Sequence, residues 1–293
     1  MGKLLALFAA LSYGANTTLS RLAYDTGTNP VSLTIYRYAM ITAIFIGVML
    51  VMRRTWRLRV SPRLYLGCVL GMYAISIGHL GAVNYIPVSL SAIIFYTYPL
   101  QVIAYRRWVS RQPTTWPEAL GFVLAFTGLI IALGPEFHQM DWRGLVLAFI
   151  GAIGALVFLI CYESFPDDTD PYAASAWIAF GTFGFCLLTM LAGIRLTPPI
   201  MEIGWVYLWV ISALTVLAIL LTVFAIKLIG AKGTALFLNI EPVIILGLAW
   251  IVLNESLSLG RLFGVVLVVV SLIISQIPSA KAKSSPSVNN RMP

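Results

Sequence analysis

Charge is the scarcest commodity in this sequence. Of 293 residues, 19 are Lys or Arg and 11 are Asp or Glu, so charged side chains make up 10%, against about a quarter in an average soluble domain. Histidine and cysteine are almost as rare. The histidines are His79 and His138. The cysteines, Cys68, Cys161 and Cys186, are odd in number and scattered in or beside apolar runs. No CxxC or Cys/His spacing suggests a metal site or a disulfide framework, so the cysteines read as small packing residues and no metal or cofactor is expected. HExxH, GxSxG and Walker patterns are absent, which leaves little from which to build an enzyme and nothing for ATP to drive directly.

What the chain has is apolar length. Hydrophobic residues are 60% of the total and mean hydropathy is +0.92. Runs of about twenty apolar residues follow one another with short breaks, the mark of a multi-span membrane protein. The expectation is an all-α integral membrane protein with ten transmembrane helices, near 3–23, 30–52, 63–82, 87–105, 116–134, 142–163, 171–193, 204–227, 232–253 and 259–277. The opening MGKLLALFAALSYGAN has the order of a signal peptide, but small and apolar residues continue to Ala23 without a clear A-x-A site, so it reads as an uncleaved first span.

The formal charge of +8 is no footprint for nucleic acid, because the basic residues cluster in a few breaks. Fourteen lie in the even-numbered breaks and the two tails, four (Arg21, Arg143, Arg195 and Arg261) in the odd-numbered ones, and Arg37 lies within the second segment. The positive-inside rule then places both termini in the cytoplasm, which requires an even number of spans. PDDTDP is an exception, a break on the basic side with Asp167, Asp168 and Asp170 and no Lys or Arg. The tail 279–293 is polar and is expected to be a disordered cytoplasmic extension.

Two breaches of apolarity stand out. FYTYPL puts Tyr96, Tyr98 and Pro99 inside the fourth segment, and LNIEPV puts Asn239, Glu241 and Pro242 inside the ninth. Sliding the chain on itself by 143 residues lays Pro99 on Pro242, Ala92 on Ala235 and Gly121 on Gly264 in one ungapped register. Residues 1–138 and 139–278 therefore read as one five-helix unit twice. With an odd number of spans, the second copy enters from the opposite side, which makes two inverted five-helix repeats.

The chain resembles the drug/metabolite transporter superfamily in its ten-helix EamA-type branch. SYGAN, IYRYA, YTYPL and IEPVIILGLAWIVLNESLSLGRLFGVVLVVVSLIIS carry the resemblance. The first half departs from it at Arg111-Gln112, where the NE pair would recur. The resemblance is strongest to the amino-acid exporters of this branch. It implies a secondary transporter in a bacterial inner membrane, exporting small organic metabolites, above all hydrophobic or aromatic amino acids, by alternating access through a cavity between the repeats. The implied partners are a small-molecule substrate and the lipid bilayer, without nucleic acid. A monomer is expected, and protons as coupling ion are left open.

Polar groups inside the segments are the candidate site. An intramembrane carboxylate such as Glu241 is costly enough to need protein or water around it, and it serves a substrate or proton or ties helices together. Arg37 serves as a gating charge, either paired with a buried carboxylate or holding a substrate carboxylate. Tyr96 and Tyr98 line a cavity or bond to neighbouring helices, with Pro99 and Pro242 as hinges. Tyr13 and Asn16 form a polar stripe on the first helix. His79 is a proton sensor or a packing residue. Tyr36 and Trp177 join as aromatic lining. Trp56, Trp108, Trp116 and Trp142 read as membrane-interface markers. Gly67 and Gly71, with Gly144, Ala148 and Ala152, give small-residue spacing for close helix contact. The rival substrates are a quaternary amine or drug, which suits aromatics and a carboxylate, and an organic phosphate or nucleotide-sugar, which needs more cations than Arg37 and Lys232 supply.

Overall fold

The computed structural model describes residues 1–82, 85–86, 88–111, 115–134, 141–190, 196–253 and 258–274. His138, Arg195, the NE pair Asn254-Glu255 and the tail 279–293 lie outside them. The described residues form helices and connectors, without strands. In chain order the helices are α1 (Gly2–Tyr24), α2 (Pro30–Val51), α3 (Pro62–Ala82), α4 (Val88–Phe95), α5 (Tyr98–Trp108), α6 (Trp116–Leu133), α7 (Trp142–Glu163), α8 (Pro171–Met190), α9 (Glu202–Leu238), α10 (Glu241–Leu253) and α11 (Leu259–Ile274). Five of them (α2, α6, α7, α8 and α9) are long and apolar enough to cross a membrane.

Local chemistry marks the starts. Asn29 accepts from the Ser32 N–H at 2.8 Å ahead of α2, and Asp170 accepts from the Tyr172 N–H at 3.0 Å ahead of α8. Thr115 and Glu118 form a reciprocal capping box for α6. Each satisfies donors that the first helical turn leaves open.

The helix expected over 87–105 is two helices. α4 ends at Phe95 and α5 begins at Tyr98, and across the junction Thr97 N–H donates to Ile94 O at 3.1 Å. The helix expected over 232–253 is likewise divided. Asn239 N–H reaches Leu236 O and Ile240 N–H reaches Phe237 O, both at 3.2 Å, before α10 starts at Glu241. Pro99 and Pro242 are therefore first-turn residues of new helices, where a missing N–H costs nothing, not kinks within continuous ones. α9 also departs from helical geometry at Gly230 (φ 73°), a left-handed position open to glycine.

The helices that pack most extensively are α3 with α7, α1 with α9, α6 with α11 and α2 with α8. Small residues set the approach, because a Cβ on Gly71 would fall 2.7 Å from Gly154 O and one on Gly264 would fall 2.5 Å from Gly128 O. The expected small-residue spacing on 67–71 and 144–152 thus belongs largely to one contact, α3 on α7. The main apolar core lies between α2, α3, α7, α8 and α9, around Phe45, Met49, Phe158 and Tyr162.

Candidate functional site

The two helix junctions bring the sequence-distant breaches together. From the α4–α5 junction come Tyr96 and Tyr98, each 4% exposed, with ring centroids 6.3 Å apart. Phe95 packs on both, at 5.2 and 5.4 Å, and its other neighbour is His79 of α3 at 4.9 Å. From the α9–α10 junction comes Glu241, whose carboxyl lies close to the Tyr96 phenol. The Tyr98 and Tyr13 phenols lie within range of the same carboxyl.

Tyr13 of α1 also lies within range of Arg37 of α2. The guanidinium reaches Tyr38, Tyr24, Cys186 and His79 as well, with Cζ 5.8 Å from the Tyr38 ring centroid. Arg37 and Glu241 thus flank one tyrosine without forming an ion pair with any described residue. The pairing of Arg37 with a buried carboxylate, expected as one reading of the sequence, does not form.

Two polar atoms here have no protein partner among the described residues. They are Arg37 Nε and Asn239 Oδ1, while Thr222 Oγ1 lies within bonding range of Tyr13. A buried polar atom without a partner costs about 1–3 kcal/mol, so Arg37 Nε and Asn239 Oδ1 leave bonding capacity unmet in this part of the protein. Glu241, Tyr13 and His79 are each only partly accessible among the surrounding helices.

Seven of the sequence-derived candidates gather here: Tyr13, Arg37, His79, Tyr96, Tyr98, Asn239 and Glu241. Three sit elsewhere. Asn16 Nδ2 donates to Thr215 Oγ1 at 3.0 Å and ties α1 to α9. Tyr36 stacks edge-on to Trp205 at 5.4 Å in a separate apolar cluster. Trp177 is 37% exposed and donates from Nε1 to Trp56 O at 2.8 Å. Trp56 stacks on Phe180 at 5.8 Å. Trp108, Trp116 and Trp142 are 79%, 75% and 68% exposed at helix ends. Sequence reasoning missed Tyr38, bonded to Ser76 Oγ at 3.0 Å, and Thr222. Tyr38 was legible as the neighbour of Arg37 in IYRYA. Thr222 was not, since a lone threonine in an apolar helix ordinarily bonds its own i−4 carbonyl.

Contacts between helices gather towards both ends of the bundle, with different chemistry. At one end neutral groups meet: Thr28 Oγ1 donates to Thr197 O, Thr197 N–H to Ser32 Oγ and Ile200 N–H to Thr26 O, all at 2.9 Å. At the other end charges meet. Arg106 pairs with Glu163, Ala231 N–H donates to Glu163 Oε1 at 2.9 Å, and Lys232 pairs with Glu118 at 2.8 Å. A recess of about 400 Å³ opens there between Tyr105, Arg106, Ser110, Ile160, Glu163 and Ser164.

Comparison with known proteins decides the family. The model of the EamA-like transporter family matches residues 1–134 and again residues 142–276. The chain belongs to this family. Among similar proteins are two named S-adenosylmethionine uptake transporter. The one from Rickettsia conorii is 24% identical over 184 residues, covering 62% of this chain and 61% of that protein. The one from Rickettsia bellii is 24% identical over 199 residues, covering 68% and 67%. This chain therefore matches about three fifths of the first relative's length. A solved crystal structure, 14% identical, superposes with a TM-score of 0.79 over 97% of this chain and 99% of that one, a likeness of fold. Membership of this family, with its long apolar helices, marks the chain as a membrane protein.

Proposed function

We propose that this EamA-like transporter carries a small organic solute bearing an amino-acid group, by alternating access through the tyrosine-lined centre. One observation carries the reading: a cation and an anion, Arg37 and Glu241, flank Tyr13 without pairing with each other. An α-amino carboxylate presents the complementary pair. Its carboxylate suits the guanidinium, and its ammonium suits Glu241 and the Asn239 Oδ1 acceptor. The tyrosine faces then receive an apolar, aromatic or cationic side group. Hydrophobic amino acids fit this description. So does S-adenosylmethionine, the substrate in the names of two relatives.

The cycle rests on the proposed ten-span, inverted-repeat architecture. Taking α9 as two crossings divided at Gly230, and α4–α5 and the end of α9 with α10 as broken single crossings, gives ten. The double match of one family model supports duplication. So does the packing. Exchanging α1 with α7, α2 with α8, α3 with the first part of α9 and α6 with α11 maps the four main helix pairings onto themselves. The charge bias supports cytoplasmic termini, and the bacterial relatives support the inner membrane. The two junctions serve as hinges, and the contacts at the two ends open alternately. Export follows from the resemblance to amino-acid exporters, although a carrier of this design runs with its gradients. Proton coupling would enter through Glu241.

A quaternary-amine exporter is the second reading, favoured by Glu241 among tyrosines. An organic-phosphate carrier is disfavoured because Lys232 is held by Glu118.

The test is uptake by proteoliposomes of labelled amino acids and S-adenosylmethionine, beside a quaternary amine and a nucleotide-sugar. Saturable flux of an amino-acid-bearing solute, lost in Glu241→Gln and in Arg37→Gln, is expected. Flux of the quaternary amine alone, indifferent to Arg37→Gln, would overturn the substrate class.

A further inference from the structure

The connector between α2 and α3, RRTWRLRVSPR, carries Arg53, Arg54, Arg57, Arg59 and Arg63 with no acidic residue among them. As a bare sequence it is a topology signal. In the folded protein it is an ordered strap with two faces. α2 ends abruptly: Arg54 N–H donates back to Met49 O at 3.0 Å and Arg53 takes φ 49°, the left-handed conformation usual for glycine at a helix stop. In the chain that follows, burial alternates from residue to residue. Trp56, Leu58 and Val60 turn inward and pack against the main core, whereas Arg57 and Arg59 turn outward and are exposed.

The inward face is clamped to α8. Trp56 stacks on Phe180, and its carbonyl accepts from Trp177 Nε1. Arg54 lies 4.9 Å over the Tyr172 ring and 3.7 Å from Asp170 Oδ2. Arg54 is the only strap arginine with an ion pair to a described residue; Arg53, Arg57, Arg59 and Arg63 are exposed and make none. Residues two apart on an extended chain put their side chains on one face about 7 Å apart. Arg57 and Arg59 thus stand as neighbouring forks on the face turned from the core, a few residues beyond the end of α2. Planar guanidinium groups bond phosphate oxygens bidentately.

We propose that the outward face of this strap binds the phosphodiester headgroup of anionic lipid, with Arg57 and Arg59 as its principal contacts. Ordinary basic connectors attract an anionic surface diffusely. Here the arginines sit on a backbone held to α8 by an aromatic stack, so a bound headgroup is gripped in one place. The proposal is independent of which solute the centre carries.

Lipid titration followed by native mass spectrometry reads this directly, with phosphatidylglycerol as probe and phosphatidylcholine as reference. Arg57→Gln with Arg59→Gln leaves Trp56, Leu58 and Arg54 in place. It should weaken phosphatidylglycerol association by at least about tenfold, the loss of one or more charge-assisted contacts to the headgroup. The control pair Arg107→Gln with Arg111→Gln, basic residues of another connector, should leave it within a few-fold. Equal losses in both pairs, or none in the strap pair, would overturn the proposal. If soluble glycerol phosphate displaced the lipid at comparable concentration, the site would be one for free organic phosphate, and the lipid assignment would fall.

Discussion

Lys232 Nζ donates to Glu118 Oε2 at 2.8 Å, joining the α9 segment beyond Gly230 to the first turn of α6. Glu118 already accepts from Thr115 N–H at 2.9 Å in the α6 capping box, so one carboxylate closes a helix start and holds a neighbouring helix. Both side chains are about a quarter exposed, 24% and 26%. Lys232→Met should therefore cost under about 1 kcal/mol in stability. Its larger effect should fall on gating. A cysteine placed at Thr222, buried in the bundle, should label faster with a membrane-impermeant thiol reagent in Lys232→Met, and the exchange Lys232→Glu with Glu118→Lys should restore slow labelling. Unchanged labelling in Lys232→Met would mean that this pair takes no part in closure.

Arg37→Gln separates the two substrate readings within one assay. If the guanidinium holds a carboxylate, the variant loses transport of amino acids by at least about tenfold, the value of one charge-assisted contact of about 1.5 kcal/mol. Amino-acid amides, which lack the carboxylate, should change little. Equal loss for acid and amide would assign Arg37 a structural role.

Asn16 is expected to contribute stability and not recognition. Its amide bonds Thr215, and Ser20 Oγ lies 3.3 Å from its Oδ1. Asn16→Ala should lower resistance to denaturation by about 0.6–1.7 kcal/mol, the range for interhelical hydrogen bonds in membranes. The KM of the transported solute should stay as in the parent protein; a several-fold rise would place Asn16 in the binding site.

Gly47 and Gly71 make a matched pair of helical glycines. A Cβ on Gly47 meets nothing within 4 Å, whereas one on Gly71 falls 2.7 Å from Gly154 O and 2.8 Å from Phe158 N. Gly47→Ala should be neutral or stabilising by about 0.5–1 kcal/mol. Gly71→Ala should destabilise by about 1–3 kcal/mol as α3 and α7 are pushed apart. Thermal unfolding in detergent compares them, and equal shifts would contradict the close packing.

The glycine pair also shows where sequence reading stops. Small-residue spacing at 67–71 and 144–152 was legible, but which helix met which was not, because the same spacing suits any neighbour. Pro99 and Pro242 were legible as disturbances. That each begins a new helix followed only from the backbone bonds at Thr97, Asn239 and Ile240.

By itself the sequence determined that the protein is helical and built for a membrane, since long apolar runs leave no other solution for backbone groups in lipid. It also singled out Tyr13, Arg37, His79, Tyr96, Tyr98, Asn239 and Glu241, because polar groups are conspicuous in an apolar chain. Tertiary structure decided which of the candidates share one place. Asn16, Tyr36 and Trp177 are as conspicuous in sequence, yet they turn to Thr215, Trp205 and the Trp56 carbonyl. Only packing could also show that Arg37 and Glu241 do not pair. Opposite charges among so few suggest a pair, yet the two form no ion pair and both act on Tyr13 of α1.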